Sequence, residues 1–162
     1  MRSAFIPVTS DFLSDKELEK IVTSNYKKIN EFCVNRIEKK DILEAEKIYY
    51  FIVTGGTEAQ VLDLQKLRDE KFADEEIILL AYGSNNSLAA SMELLARFNQ
   101  IGKKGRIIYL PANETIESRT VNIQNLNGKR QLEGSRIGEV GTPSDWLVAS
   151  SPSAETVKDN WG

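Results

Sequence analysis

The chain has 162 residues, 41% of them hydrophobic and 28% charged, and its 24 acidic and 21 basic side chains give a net charge of −3. Such a length and composition are typical of one globular domain, and the weakly acidic balance argues against nucleic acid or an anionic membrane as a partner. The chain has no histidine, which excludes Ser-His-Asp and Cys-His catalysis and histidine-containing metal sites. Its one cysteine, Cys33, excludes an internal disulfide and favours a reducing cytoplasm. No apolar run reaches the roughly 18 residues that a membrane-spanning helix needs.

Apolar runs rich in β-branched residues predict the strands of the fold. They cover residues 4–8, 48–54, 76–82 and 106–110, and a shorter run at 136–140 predicts a fifth strand. The runs are continuous rather than alternating, which is the pattern of parallel strands that are covered on both faces.

Each of the first four strands is followed by a segment with helical spacing of apolar residues. The expected N-terminal caps of the first three helices are Ser14, Thr57, and Asn86 or Ser87. Ser14 and Glu17 have the spacing of a capping box, and Gly102 is expected to end the third helix. A fourth, less regular helix is expected from residue 113 or 115 to about residue 128.

The helical spacing also predicts which side chains face the core. In the second helix Val61, Leu62 and Leu64 are expected to be buried, whereas Arg68 and the other charged residues are expected in water. In the third helix the apolar stripe is formed by Leu88, Met92, Leu95 and Ala96.

Strands and helices alternate along the chain, and crossovers of this length require a parallel sheet with helices on both faces. We therefore predict an α/β three-layer sandwich with a five-stranded parallel sheet, in the flavodoxin-like order 2-1-3-4-5 or, as the second choice, a Rossmann-like order. The charged stretch 35–47 is interpreted as the end of the first helix and a connector. Residues 1–150 are expected to form a single α/β domain, and 151–162 to begin a linker or helix toward a following domain of a longer protein.

Four loops are expected at the carboxyl edge of this sheet, where open α/β sheets bind their ligands. They comprise residues 9–11, 54–58, 83–87 and 141–146, and they are rich in hydroxyls, amides and glycine. One interpretation is that these residues only cap helices and form turns. The other is a polar small-molecule site, because glycines allow close approach and the following helices offer free N–H groups. Phosphate-binding and dinucleotide-binding glycine motifs are absent.

Asp145 and Trp146 differ from the other loop residues. An acid beside an exposed indole can hydrogen-bond a hydroxyl while the ring covers one face of a sugar. Trp146 could equally anchor its loop in the core, so both interpretations stay open at this point.

Three parts of the sequence together carry a family resemblance: residues 51–58, residues 79–88 with 93–97, and residues 136–150. They resemble the N-terminal region of the L-fucose/L-arabinose isomerase superfamily, and most closely its fucose isomerase-like branch. The similarity spans nearly the whole chain from Phe5. Its most specific part is Pro143-Ser144-Asp145-Trp146 after a glycine-ended strand, followed by the Gly-Gly-Thr-Glu turn at 55–58.

The resemblance implies an aldose–ketose isomerase of several domains, of which this chain is the first. Such enzymes shuttle a proton between C1 and C2 through an enediol, and a divalent metal, commonly manganese, polarises the substrate oxygens. Carboxylate and histidine metal ligands would come from later domains, so no catalytic residue and no metal ligand is assigned here. The positions that the family motifs mark as lining the sugar pocket are Gly55, Gly56, Thr57, Asn85, Asn86, Ser144, Asp145 and Trp146.

The resemblance therefore implies a sugar substrate, further C-terminal domains and a homo-oligomer as partners, with no activity of this domain alone. A domain that is normally covered by a neighbour is also expected to expose an apolar patch. Two alternatives are a free-standing sugar- or metabolite-binding module that uses the same loops, and a domain with a purely structural role in assembly.

Overall fold

A computed structural model describes residues 3–32, 35–111 and 141–161. The strands of this part are β1 (Ser3–Val8), β2 (Asn35–Arg36), β3 (Lys47–Ile52), β4 (Ile77–Tyr82) and β5 (Gly105–Leu110). The helices are α1 (Asp15–Ile29), α2 (Glu58–Asp69), α3 (Ser87–Gln100) and α4 (Ala154–Trp161), with a 3-10 turn at Lys39–Asp41. None of the described helices is long and apolar enough to cross a bilayer.

The strands form a five-stranded sheet in the order β2-β1-β3-β4-β5, and every pair is parallel. Two buried clusters lie on its opposite faces. Val61 of α2 and Leu94 of α3 pack on one face, and Val22 and Ile29 of α1 pack on the other. The predicted α/β class and five-stranded parallel sheet are confirmed.

The strands that make up the sheet differ from the predicted set. β2 lies inside the charged stretch 35–47, which was expected to be only a helix end and a connector. Numbered along the chain, the observed order is the predicted 2-1-3-4-5, but different strands fill it. β1 lies between β2 and β3, and β4 pairs with β3, whereas the predicted strands in this order would have put β4 beside β1. The predicted strand at 136–140 and the predicted helix at 113–128 lie outside the described residues.

All three predicted residues occupy the N-cap positions of their helices, but the side chain makes a capping hydrogen bond in only one of them. The Ser14 hydroxyl accepts the N–H of Glu17, and the Glu17 carboxylate accepts the N–H of Ser14, so the predicted capping box is confirmed. Thr57 and Asn86 occupy the N-cap positions of α2 and α3, but neither side chain makes a capping hydrogen bond. The Thr57 hydroxyl instead donates to the carbonyl oxygen of Thr54 at 2.9 Å.

Arg68, which was expected in water, is fully buried. Its guanidinium donates to both carboxylate oxygens of Glu75, each at 2.6 Å, and to the carbonyl oxygens of Ile42 and Ala45. The prediction is wrong because the segment before β3 folds against α2 and supplies these acceptors. A charge is tolerated in a protein interior when it is paired and hydrogen-bonded in this way.

The apolar stripe of α3 does not mark its buried face. Leu88 is 39% exposed and Met92 is 59% exposed. The buried residues of α3 are Ser87, Ala90, Ser91, Leu94 and Phe98. The serines can be buried because the Ser87 and Ser91 hydroxyls donate to backbone carbonyl oxygens, and small side chains let the helix lie close to the sheet.

Candidate functional site

A cleft of about 590 Å³ opens at the carboxyl edge of the sheet. It lies between the loop after β3, the loop after β4, the first half of α3 and the segment 141–150. Three of the four predicted loops therefore meet in one place. The fourth, at 9–11, does not line the cleft, although the N–H of Ser10 donates to the Thr54 hydroxyl at 2.8 Å.

The loops after β3 and β4 touch each other through their backbones. The N–H of Gly55 donates to the carbonyl oxygen of Asn85 at 2.9 Å. A side-chain Cβ at Gly55 would lie 3.0 Å from the Cβ of Asn86, so only glycine fits this approach without a shift. Asn85 and Asn86 both have a positive φ, of 53° and 58°, a conformation that asparagine adopts more readily than most residues.

Trp146 forms one wall of the cleft and is 51% exposed. A Cβ at Gly56 would lie 3.2 Å from Cε3 of the indole, so the ring edge rests on the backbone of the loop after β3. The interpretation of Trp146 as a core anchor is therefore wrong. Trp146 is therefore free to contact a molecule in the cleft.

Glu93 holds the segment that carries Trp146. Its carboxylate accepts the N–H of Ser150 at 2.8 Å and the N–H of Ala149, and Gln100 donates to the carbonyl oxygen of Ala149 at 3.3 Å. Burial opposes the ionisation of Glu93, but these N–H donors outweigh it and lower its pKa. The carboxylate therefore fixes residues 146–150 against α3.

Glu58 is the most unusual group in the cleft. The residue is only 4% exposed, and its Oε2 atom has no hydrogen-bond partner among the described residues. Burial raises the pKa of Glu58, and the negative charge of Glu93 adds to this effect. The backbone N–H groups of Glu58, Gly56 and Thr57 act in the opposite direction and lower the pKa, but burial outweighs them.

The structure places the eight predicted pocket residues in different surroundings. Those that line the cleft are Gly55, Gly56, Asn85, Asn86 and Trp146. Thr57 is fully buried and bonded to the backbone, so it supports the turn rather than facing the cleft. Ser144 and Asp145 are exposed next to Trp146, and they do not belong to the lining.

Sequence reasoning did not single out Glu58 and Glu93. Glu58 stands in the Gly-Gly-Thr-Glu turn, so its position at the edge of the sheet was visible in the sequence, but its burial was not. Glu93 lies on α3 between exposed Met92 and buried Leu94. Nothing in the local pattern shows that the distant segment 141–150 will contact it.

The cleft does not offer a complete metal site. Among the described residues there is no group of three or more Cys, Asp or Glu side chains that could hold a metal ion, and the chain has no histidine. Two carboxylates, Glu58 and Glu93, lie in the lining. These residues therefore do not fit a manganese centre, and the metal that the family resemblance implies has no site in the described part of the chain.

Comparisons with protein-family models, with curated proteins and with solved structures find no match to this chain. The resemblance to fucose isomerase-like proteins therefore stays a prediction. It depends on residues 51–58, 79–88 with 93–97, and 136–150.

Proposed function

We propose that the cleft binds a sugar or a related polyol. We further propose that the chain serves as the N-terminal domain of an aldose–ketose isomerase-like protein, where it lines the carbohydrate pocket and contributes to assembly without being catalytic alone. The observation that carries this proposal is the half-exposed indole of Trp146, which rests on Gly56 beside polar loop tips.

A sugar presents an apolar face of C–H groups together with several hydroxyls, and the cleft offers a partner for each. The Trp146 ring supplies an aromatic surface. The loop after β4 supplies side-chain amides, of which Asn85 is oriented by a 2.8 Å hydrogen bond to the Tyr82 hydroxyl. The volume of about 590 Å³ lies within the usual range of small-molecule sites.

Catalysis would need groups that the described residues do not supply. An enediol mechanism with a divalent metal needs a ligand set, and the cleft contributes at most two carboxylates. In the proposed parent protein, these ligands and the catalytic base come from other domains, and the metal would be manganese or a similar cation.

Calorimetric titration of the full-length gene product with pentoses, deoxyhexoses and their polyols tests the proposal. We expect binding that Trp146→Ala weakens by about tenfold, because contacts with an aromatic ring contribute about 0.5–1.5 kcal/mol beyond buried area. Trp146→Phe should keep most of the affinity. Ile101→Ala is a matched control, because Ile101 is 50% exposed at the far end of α3 and its loss should leave binding unchanged. Absence of sugar binding, or equal binding by Trp146→Ala, would contradict the proposal.

A free-standing sugar- or metabolite-binding module is the second candidate, and one observation favours it: the described residues enclose a cleft of about 590 Å³ without further domains. Titration of the 162-residue chain alone separates the two. Tight binding by the isolated chain favours the module, whereas binding only by a longer gene product favours the isomerase domain. A purely structural role predicts that Asp145→Asn and Trp146→Ala leave the turnover of the full-length protein unchanged.

A further inference from the structure

The Oε2 atom of Glu58 is the one buried side-chain polar atom without a hydrogen-bond partner in the part of the chain that the structure describes. The other buried polar groups nearby are satisfied. The Ser87 hydroxyl accepts the N–H of Tyr82 at 3.1 Å and donates to the carbonyl oxygen of Ile52, and the Thr57 hydroxyl donates to Thr54. Native proteins satisfy nearly all such atoms, so an exception requires an explanation.

Folding stability does not explain why a carboxyl group stands at this position. A buried acceptor that lacks a donor destabilises the folded state. Glutamine has nearly the same shape and could still accept the backbone N–H bonds of this turn, without a charge to bury. A charged carboxyl group at this position therefore costs folding free energy that a neutral side chain does not, which is common where a residue serves binding.

None of the described lining residues donates a hydrogen bond to Oε2. The described lining residues include no lysine or arginine, and the other carboxylate of the lining, Glu93, accepts the N–H groups of Ala149 and Ser150. A ligand in the cleft that carries a hydrogen-bond donor would satisfy Oε2. The second carboxylate of the lining, Glu93, already accepts two backbone N–H groups, and the Trp146 indole offers an apolar wall. We therefore take a neutral hydroxyl as the donor, and the experiment below distinguishes it from a cation.

We propose that Glu58 is a specificity-determining residue, whose Oε2 atom accepts a hydrogen bond from one hydroxyl of the bound sugar or polyol. This inference rests on the proposed sugar-binding function. A buried carboxyl group at the start of α2 thereby determines which sugars bind. A sugar without that hydroxyl would leave the carboxyl group unsatisfied in the complex, and such sites reject the deoxy analogue strongly.

The test compares the best-binding sugar with each of its monodeoxy analogues, on the full-length wild-type protein and on Glu58→Met and Glu58→Gln. On the wild type, we expect one deoxy analogue to bind about 10- to 100-fold more weakly than the parent sugar. On Glu58→Met this difference should disappear, because methionine keeps the length of the side chain and removes its acceptor. Asp15→Asn removes a charge from the exposed first turn of α1 and should behave as the wild type.

The possible outcomes distinguish a failure of the Glu58 inference from a failure of the sugar-binding proposal. Equal affinities of the wild type and Glu58→Met for the whole series would overturn this inference and leave the sugar-binding proposal intact. Tighter binding of an amino analogue that is lost in Glu58→Gln would show that the partner is a cation and overturn the hydroxyl assignment. Absence of any sugar binding by the wild type would overturn both proposals. Thermal unfolding of Glu58→Met and Glu58→Gln checks that both variants fold, and Glu58→Gln serves as the second variant if Glu58→Met does not.

Discussion

The side chains around the cleft differ in how their polar atoms are satisfied. Glu93 accepts two N–H groups, and its pKa is lowered. Glu58 lies in the same lining with an unpartnered oxygen, and its pKa is raised. Two carboxylates in one cleft therefore have opposite shifts, because one faces donors and the other is mainly desolvated.

The raised pKa of Glu58 predicts how stability depends on pH. The folded state binds the Glu58 proton more tightly than the unfolded chain, so stability falls as pH rises from about 4.5 through the folded pKa and then levels off. We expect Glu58→Gln to be more stable than the wild type by about 1 kcal/mol at about pH 8, and the gap to shrink at about pH 4. Urea unfolding at both pH values measures the difference in unfolding free energy between Glu58→Gln and the wild type. A gap that does not change with pH would contradict this explanation.

Gly55 and Asn86 form a close contact between two loops, and their coupling can be measured. Gly55→Ala places a Cβ 3.0 Å from the Cβ of Asn86, and overpacking of this kind costs about 1–3 kcal/mol. Asn86→Gly removes that Cβ and suits the positive φ of 58°, so the double variant should regain most of the lost stability. Urea unfolding of the two single variants and the double variant completes the cycle. Strictly additive effects would show that the clash is not the cause.

At the level of elements, sequence patterns located the main helices and strands but not the ones that depend on distant contacts. The strands β1, β3, β4 and β5 were predicted from their apolar runs, and three helices followed from spacing and caps. β2 was missed because it consists of two exposed residues, Asn35 and Arg36, at the edge of the sheet, where no apolar run is needed. The burial of Arg68 was missed because its acceptors are backbone carbonyls of a different segment.

The attachment of residues 146–150 to α3 depends on the charge of Glu93. Because the folded pKa of Glu93 lies below 4.5, the attachment is complete above about pH 4.5 and is lost as pH falls through the folded pKa. A charged acceptor forms hydrogen bonds about twice as strong as a neutral one. In Glu93→Gln we therefore expect the amide protons of Ala149 and Ser150 to exchange about tenfold faster at neutral pH.

Hydrogen exchange followed by NMR measures this effect. The N–H of Gly55, which donates to Asn85 in the same cleft, serves as the internal control and should keep its protection. Unchanged exchange at Ala149 and Ser150 would mean that Glu93 does not hold the segment.

For the whole molecule, the class of fold, the strand order 2-1-3-4-5 and the location of the cleft were predictable, whereas the segments of the chain that occupy each place in that order were not. Continuous apolar runs alternating with helices indicate a parallel sheet, and a parallel sheet places its loops at one edge. Which strand lies beside β1 depends on the pairing of Ala4 with Asn35 and with Ile48, and the local pattern does not encode it. The contact between Gly56 and Trp146 likewise joins segments that are far apart in the sequence, so the local pattern does not encode it either.

The exposed stripe of α3 leads to a prediction about the molecule as a whole. Leu88 and Met92 are one helical turn apart on the outer face of α3, and Ala89, Met92 and Tyr109 line a second depression beside the cleft. Apolar surface of this kind commonly serves association, as expected of a domain that is normally covered by a neighbour.

We expect the chain to associate as its concentration rises, and Met92→Lys to shift it toward monomer. Ile101→Lys, at a similarly exposed apolar position, is the control that should not. Light scattering that shows a monomer at every concentration, or equal effects of both substitutions, would contradict a role of this face in assembly.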